Sequence, residues 1–283
     1  MNRSLEMFCG AMMVLFLLAG TIESEAEDAK VIIRVRGADS VAGRVEKITK
    51  IFLKDHPEYN VIVSGGAKDI GLGALYDKTG EVAMAPRKIT EAEKKEAAGR
   101  GLQLEERLIG YGGIAIIVNS SNPLSELSVE QIRKILEGGF TSWAQAGGSE
   151  SPIEVVSPSP NIHAGTIHFV VHDLLENHPI ASSAVNVGSF DSVIKNVANN
   201  KSAIGFTRVR DVESRHGETG IRVLKVKKDA DSPAVQLSRA AIADGVYPLR
   251  RPFFLYYDRK ASPEIKKYVD YVVSKGWGPQ RIE

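Results

Sequence analysis

The sequence predicts an α/β protein of two lobes, each a mostly parallel sheet flanked by helices. Segments rich in β-branched residues alternate with segments of helical apolar spacing along most of the chain, which is typical of βαβ units. A chain of 283 residues is longer than one hydrophobic core usually serves. Three glycines within 110–113 offer a hinge. We expect lobe I at 27–112 with 226–283 and lobe II at 113–225, joined by two hinge strands.

The composition excludes several classes of protein. Hydrophobic residues make up 43% and charged residues 25% of the chain, as in soluble globular proteins. The formal net charge is +1, and no basic run is interleaved with aromatic residues, so we expect no nucleic-acid partner. Cys9 is the only cysteine, so the remainder of the chain can form no disulfide and supply no thiolate.

Residues 1–26 have the pattern of a signal peptide. Arg3 supplies a positive start, residues 11–19 are all apolar, and small residues near Ala26 suit cleavage. The apolar run is too short to span a bilayer. An uncleaved anchor is the alternative, because Glu6 dilutes the positive region. We expect an exported, periplasmic protein.

The first part of the chain follows the order strand, loop, helix, strand. Strands are predicted at 31–35, 60–63 and 81–85, and helices at 41–55, around 72–75 and at 91–98. His56 and Pro57 end the first helix. Glycine-containing loops at 37–40 and 64–71 each precede a helix, as ligand loops do at the carboxyl ends of parallel strands.

The rest of the chain continues the alternation. Strands are predicted at 102–109, 114–118, 153–156, 185–187, 203–206, 221–226 and 253–257, and helices at 127–136, from 165, at 192–199 and at 263–274. The glycines of 110–113 are expected to separate two of these strands.

The loop before the helix at 165 is the first candidate for a ligand site. The first amides of a helix lack intrahelical partners and lie at the positive end of its dipole, so they attract anions. Gly165 lets a ligand approach the backbone, and Thr166 adds a hydroxyl. The alternative is that the polar residues here merely cap the helix.

Three such loops could converge on one oxyanion. Their candidate contacts are Ala38, Asp39, Ser40, Lys68, His163, Gly165 and Thr166, and Arg87 could add further positive charge.

Motifs of catalysis are missing from the sequence. There is no phosphate loop ending in Gly-Lys-Ser/Thr, no Gly-x-Ser-x-Gly elbow and no His-Glu-x-x-His. His168 and His172 share one helical face, as metal-binding pairs do, but they flank an apolar stripe where solvated histidines usually lie. We therefore expect no enzyme, no metal and no cofactor.

Several motifs resemble one known family. They are, in chain order, 112–119 (GGIAIIVN), 122–124 (NPL), 127–132 (LSVEQI), 138–143 (GGFTSW), 203–206 (AIGF) and 247–252 (YPLRRP). Together they resemble the phosphate-binding proteins of bacterial ABC uptake systems. This resemblance implies a type II periplasmic-binding-protein fold that captures phosphate, or a related tetrahedral oxyanion, between its lobes. It also implies delivery to an ABC permease in the inner membrane, and we expect a monomer.

The resemblance transfers some site residues and changes others. Ser40 occupies the place of a hydroxyl in the family's first phosphate loop, and Gly165 and Thr166 match the end of its Ser-Gly-Thr loop. Glu81 takes the place of the aspartate that accepts a proton from bound hydrogen phosphate. Lys68 takes the place of a serine that is usual in the family's second loop. Ala164 replaces the serine of the Ser-Gly-Thr loop. The family has an arginine a few residues before that serine, and residues 157–160 contain none.

These changes favour a second hypothesis. Losing a buried donor to a charged ligand costs about 1.5–3 kcal/mol. The alternative is a divergent binding-protein-like envelope sensor or interaction module that has lost phosphate binding.

Overall fold

The structure is a computed structural model that describes residues 30–67, 71–159, 164–213 and 220–275. The predicted signal peptide lies outside these ranges. The strands are β1 (Val31–Ala38), β2 (Tyr59–Ala67), β3 (Val82–Ala85), β4 (Leu104–Asn119), β5 (Glu126–Ser128), β6 (Glu154–Pro158), β7 (Val185–Val187), β8 (Ala203–Arg208), β9 (Ile221–Val223), β10 (Lys225–Lys227) and β11 (Arg250–Asp258). The helices are α1 (Asp39–Asp55), α2 (Leu72–Tyr76), α3 (Glu91–Gly99), α4 (Val129–Leu136), α5 (Ala164–His168), α6 (Phe190–Asn199), α7 (Val209–Glu213), α8 (Arg239–Ala243) and α9 (Pro263–Ser274). A π-helical turn, Phe169–Leu174, continues α5. Within the described ranges, no helix has the length and apolar character needed to cross a membrane.

The strands form a continuous sheet in the order β2-β1-β3-β11-β4-β8-β6-β7, with β9 also paired to β4. Each half contains parallel pairs: β1 lies parallel to β2 and β3, and β6 lies parallel to β7 and β8. The antiparallel strands β11 and β4 lie between these two groups. The predicted α/β fold with two mostly parallel halves is confirmed.

Strand β4 crosses from one half to the other. Its residues 104–113 pair with β11, and its residues 114–118 pair with β8. The prediction of two strands separated by glycines is wrong, because the backbone stays extended through Gly112 and Gly113. A Cβ on Gly112 would lie 2.6 Å from the Phe253 ring, and one on Gly113 would lie 2.6 Å from Ile242. These glycines therefore make room for neighbouring side chains rather than a turn.

Both faces of each half are covered by a hydrophobic core. In the first half, Val82 and Met84 face a core shared with α1 and α9, while Ala83 and Ala85 face the core under α2. In the second half, alternate residues of β4 divide in the same way between two cores. This alternation follows from the two-residue period of a strand, and it makes each half a three-layer unit.

The chain returns to the first half later than the sequence indicates. The predicted strand at 221–226 is two strands, since β9 pairs with β4 whereas β10 pairs with β5 in a separate small sheet. Tyr247 and Leu249 belong to the core of the second half. Residues 226–249, which the sequence assigned to lobe I, therefore pack with the second half, and β11 carries the chain back.

Candidate functional site

The junction of β1 and α1 forms one wall of the candidate site. The predicted loop at 37–40 is absent, because α1 begins at Asp39 directly after the strand. Gly37 has φ +151°, and a Cβ there would overlap the Met84 carbonyl of β3. Glycine therefore lets the ends of β1 and β3 lie close together beneath the helix N-terminus.

The N-terminus of α1 has no capping side chain of its own. Ala38 occupies the N-cap position and cannot supply a side-chain acceptor. Asp39, in the first turn, accepts a hydrogen bond of 2.6 Å from the Gly66 amide at the end of β2. Ser40 places its Oγ in a buried position, where no described residue offers it a hydrogen bond. A helix of 17 residues thus presents its first amides beside a buried, unpartnered hydroxyl.

The start of α5 faces Asp39 and Ser40 from the second half. We call the region between these residues and Gly165 the corner. A Cβ on Gly165 would lie 3.4 Å from Ser40 Oγ and 3.2 Å from Pro86 Cγ. Thr166, the next residue, is buried. The structure therefore brings two of the predicted loops together, with Ala38, Asp39 and Ser40 on one side and Gly165 and Thr166 on the other, while residues 68–70 of the third loop lie outside the described ranges.

Arg251, at the start of β11, also reaches this corner. Its Nη1 donates a hydrogen bond of 3.1 Å to the Gly165 carbonyl, and its side chain is 2% exposed. Burial, and then the nearby charges of Arg208 and Arg210, lower the pKa of Arg251 to about 9, so it is charged at neutral pH. In the sequence, Arg251 is recognisable only as part of the family motif at 247–252. Its Arg-Arg pair gives no sign of which guanidinium is buried.

Two other candidates, Arg87 and Glu81, are held in ion pairs with residues of the first half. Arg87 forms two hydrogen bonds with the Glu93 carboxylate, at 2.9 and 2.8 Å, which lower the pKa of Glu93 to about 2. Glu81 accepts a hydrogen bond of 2.7 Å from the Arg34 amide and lies 3.3 Å from the Arg34 guanidinium. Arg34 precedes Ala38 by four residues of β1, roughly 13 Å along the strand. The structure therefore does not bring Glu81 to the corner, and Lys68 and His163 lie outside the described residues.

A cavity of about 570 Å³ lies between the halves beside Pro86. Arg87 and Glu106 line it from the first half, and Phe169 and Asp173 from the second. The two halves therefore enclose space at their junction.

The predicted histidine pair lies on the helix that follows Gly165. The rings of His168 and His172 are 4.0 Å apart between centroids, and His172 Nδ1 lies 2.6 Å from Asn177 Oδ1. In the part of the chain that the structure describes, no cluster of three His, Cys, Asp or Glu side chains is arranged to hold a metal ion.

Two parallel-stranded halves, joined through β4 and β11 and enclosing a corner of helix N-termini, define a two-lobed solute-binding protein with the type II fold. The family model of the PBP superfamily domain matches residues 24–275. The chain belongs to this family.

Individual relatives agree with the motif resemblance. The phosphate-binding protein PstS of Staphylococcus haemolyticus is 29% identical over 248 residues, which cover 86% of this chain and 76% of that protein. PstS of Staphylococcus epidermidis is 27% identical over 254 residues, covering 87% and 76%. The predicted similarity to PstS-type proteins is confirmed.

Solved structures show the same fold. An ABC-type phosphate transport receptor from Vibrio cholerae superposes with a TM-score of 0.70 at 25% identity, covering 85% of this chain and 93% of that one. A putative phosphate ABC transporter substrate-binding protein from Clostridium perfringens superposes with a TM-score of 0.62 at 22% identity, covering 85% and 92%.

Proposed function

We propose that this chain is an exported receptor that captures phosphate, or a related tetrahedral oxyanion, between its two lobes. The observation that carries the proposal is the buried, unpartnered Ser40 Oγ at the N-terminus of α1, facing Gly165 of the other half. Buried polar groups are normally hydrogen-bonded, so such a hydroxyl needs an acceptor. An oxyanion would be that acceptor and would also accept from the first amides of α1.

The proposed contacts are those that the structure brings together. Ala38, Asp39 and Ser40 contribute from α1, and Gly165 and Thr166 from α5. Lys68 and His163 stay in the proposed set as residues outside the described ranges. Arg87 and Glu81 are assigned structural roles, because ion pairs with Glu93 and Arg34 occupy them.

The relatives support the proposed delivery and location. PstS proteins are named as phosphate-binding, and the Vibrio cholerae structure as a receptor of ABC-type phosphate transport. We accordingly propose a monomeric periplasmic protein that hands its ligand to an ABC permease in the inner membrane and has no catalytic role. We place the signal peptide at residues 1–26.

Isothermal titration of residues 27–283, dialysed free of phosphate, tests this function. We expect heat on addition of phosphate and a dissociation constant that rises about 10- to 100-fold in Ser40→Ala, since that variant loses a buried donor to a charged ligand. Ser149→Ala, which removes an exposed hydroxyl, is the matched control and should bind like the wild type. Absence of heat with every tetrahedral oxyanion tried would refute the proposal.

The second candidate is a sensor or interaction module that does not bind phosphate. The internal ion pairs of Arg87 and Glu81 favour it, because they remove two side chains from the predicted anchors. Binding of a partner domain without any heat from phosphate or sulfate would support this candidate.

A further inference from the structure

Arg251 is a buried cation without a neutralising partner. Within the described residues, no carboxylate forms an ion pair with its guanidinium, since Asp211 and Asp173 act on it only through space, and its Nε is buried without a hydrogen-bond partner. Its Nη1 donates to the Gly165 carbonyl, a neutral acceptor. A buried charge that lacks a counter-charge is strongly unfavourable in a folded protein.

The nearest acidic residues do not remove this charge. Asp211 is held by Arg208, whose Nε and Nη2 donate to its two oxygens at 2.6 and 2.7 Å. Asp173 is exposed and acts on Arg251 only at longer range, and Arg208 and Arg210 add positive charge nearby. The surroundings of Arg251 are therefore positive on balance.

The position of Arg251 links this charge to the candidate site. The carbonyl that it binds belongs to Gly165, whose Cα faces Ser40 Oγ. The unpaired cation and the unpaired hydroxyl thus both lie next to one glycine. An anion held at Ser40 would share this neighbour with Arg251, and the attraction between the two charges would be poorly screened in the protein interior.

We infer that Arg251 supplies the positive charge that stabilises the bound oxyanion, while its hydrogen bond to Gly165 orients the second wall of the site. The inference rests on the proposed function and extends it by naming the charge-bearing residue. It makes Arg251 a determinant of preference for doubly charged oxyanions, since a cation stabilises a dianion more than a monoanion.

Arg251→Met tests the charge, with Arg259→Met as its matched control. Arg259 follows the other end of β11, where it is exposed and its Nε donates a hydrogen bond of 3.0 Å to Glu105 Oε2. Both variants remove one positive charge and leave an unbranched, uncharged side chain. Titration with inorganic phosphate is performed at about pH 5, where the ligand is mostly a monoanion, and at about pH 8.5, where it is mostly a dianion.

We expect Arg251→Met to raise the dissociation constant by at least about 30-fold at the higher pH and by a smaller factor at the lower pH. In phosphate-free buffer its thermal midpoint should equal or exceed that of the wild type, because an uncompensated charge has been removed. Arg259→Met should bind phosphate within about threefold of the wild type.

Two results would overturn the inference. One is wild-type affinity in Arg251→Met. The other is a lower thermal midpoint together with an equal loss of affinity at both pH values, which would mean that Arg251 only supports the Gly165 backbone. If the wild type itself binds no oxyanion, the proposed function fails, and the phosphate-free midpoints still show whether Arg251 is an uncompensated charge.

Discussion

Ser40 and Gly165 meet across the junction of the two halves, so closely that a Cβ on Gly165 would lie 3.4 Å from Ser40 Oγ. Ser40 lies in the first turn of α1 in the first half, and Gly165 lies in the first turn of α5 in the second half. A hydroxyl and a bare backbone therefore face one another, which is the arrangement that a small oxyanion requires.

Gly165→Ala should weaken phosphate binding about tenfold or more, because the added methyl would crowd both Ser40 Oγ and Pro86 Cγ. Calorimetric titration measures the change. Gly188→Ala is the control, since a Cβ there meets no atom within 4 Å. Equal affinities for the two variants would show that the ligand does not approach Gly165.

Gly37→Ala should lower the free energy of unfolding by about 2–3 kcal/mol, since its Cβ would overlap the Met84 carbonyl and its φ of +151° is unfavourable for alanine. Urea denaturation measures the loss. Gly99→Ala, at the exposed end of α3 with no neighbour within 4 Å, should be neutral or slightly stabilising. A Gly37→Ala protein as stable as the wild type would contradict this account of the strand–helix junction.

The Arg87–Glu93 ion pair predicts that the protein becomes less stable in acid. Hydrogen bonds from Arg87 lower the pKa of Glu93 from 4.5 to about 2, so the stabilisation is complete above about pH 4.5 and is lost as the pH falls towards 2. We expect this contribution to be about 1 kcal/mol, because solvent screens the partly exposed pair. Glu93→Gln should lose stability at pH 7 and show a shallower decline in acid. An unchanged pH profile of the denaturation midpoint would exclude this role.

Glu81→Gln should leave phosphate affinity within about threefold of the wild type, because Glu81 is held by Arg34 about 13 Å along the strand from Ala38. The ratio of the phosphate and sulfate affinities should also equal that of the wild type. Titration with both anions checks this. A change in that ratio would return Glu81 to the site as a proton acceptor.

Local patterns were sufficient for most of the fold. Strand and helix periodicity located β1, α1, β2 and α9 within a few residues, because each of these elements has one strongly apolar face. The prediction failed at the glycines of 110–113, because glycine in a sequence usually indicates a turn. The packing of Gly112 against Phe253 and of Gly113 against Ile242 is visible only in the structure.

Fewer of the residues at the candidate site could be predicted from the sequence. Gly165 and Ser40 were recognised as helix-start residues, a property of local sequence. The engagement of Glu81 by Arg34 and the burial of Arg251 depend on strands far apart in the chain. No short motif contains that information.

A crystal structure of residues 27–283 grown with phosphate would show directly whether the anion binds at Ser40. We expect tetrahedral density between the two halves, within hydrogen-bond distance of Ser40 Oγ and the first amides of α1, with Arg251 beside it. Phosphate bound elsewhere, or a corner filled by the protein's own side chains in the presence of saturating phosphate, would contradict this expectation.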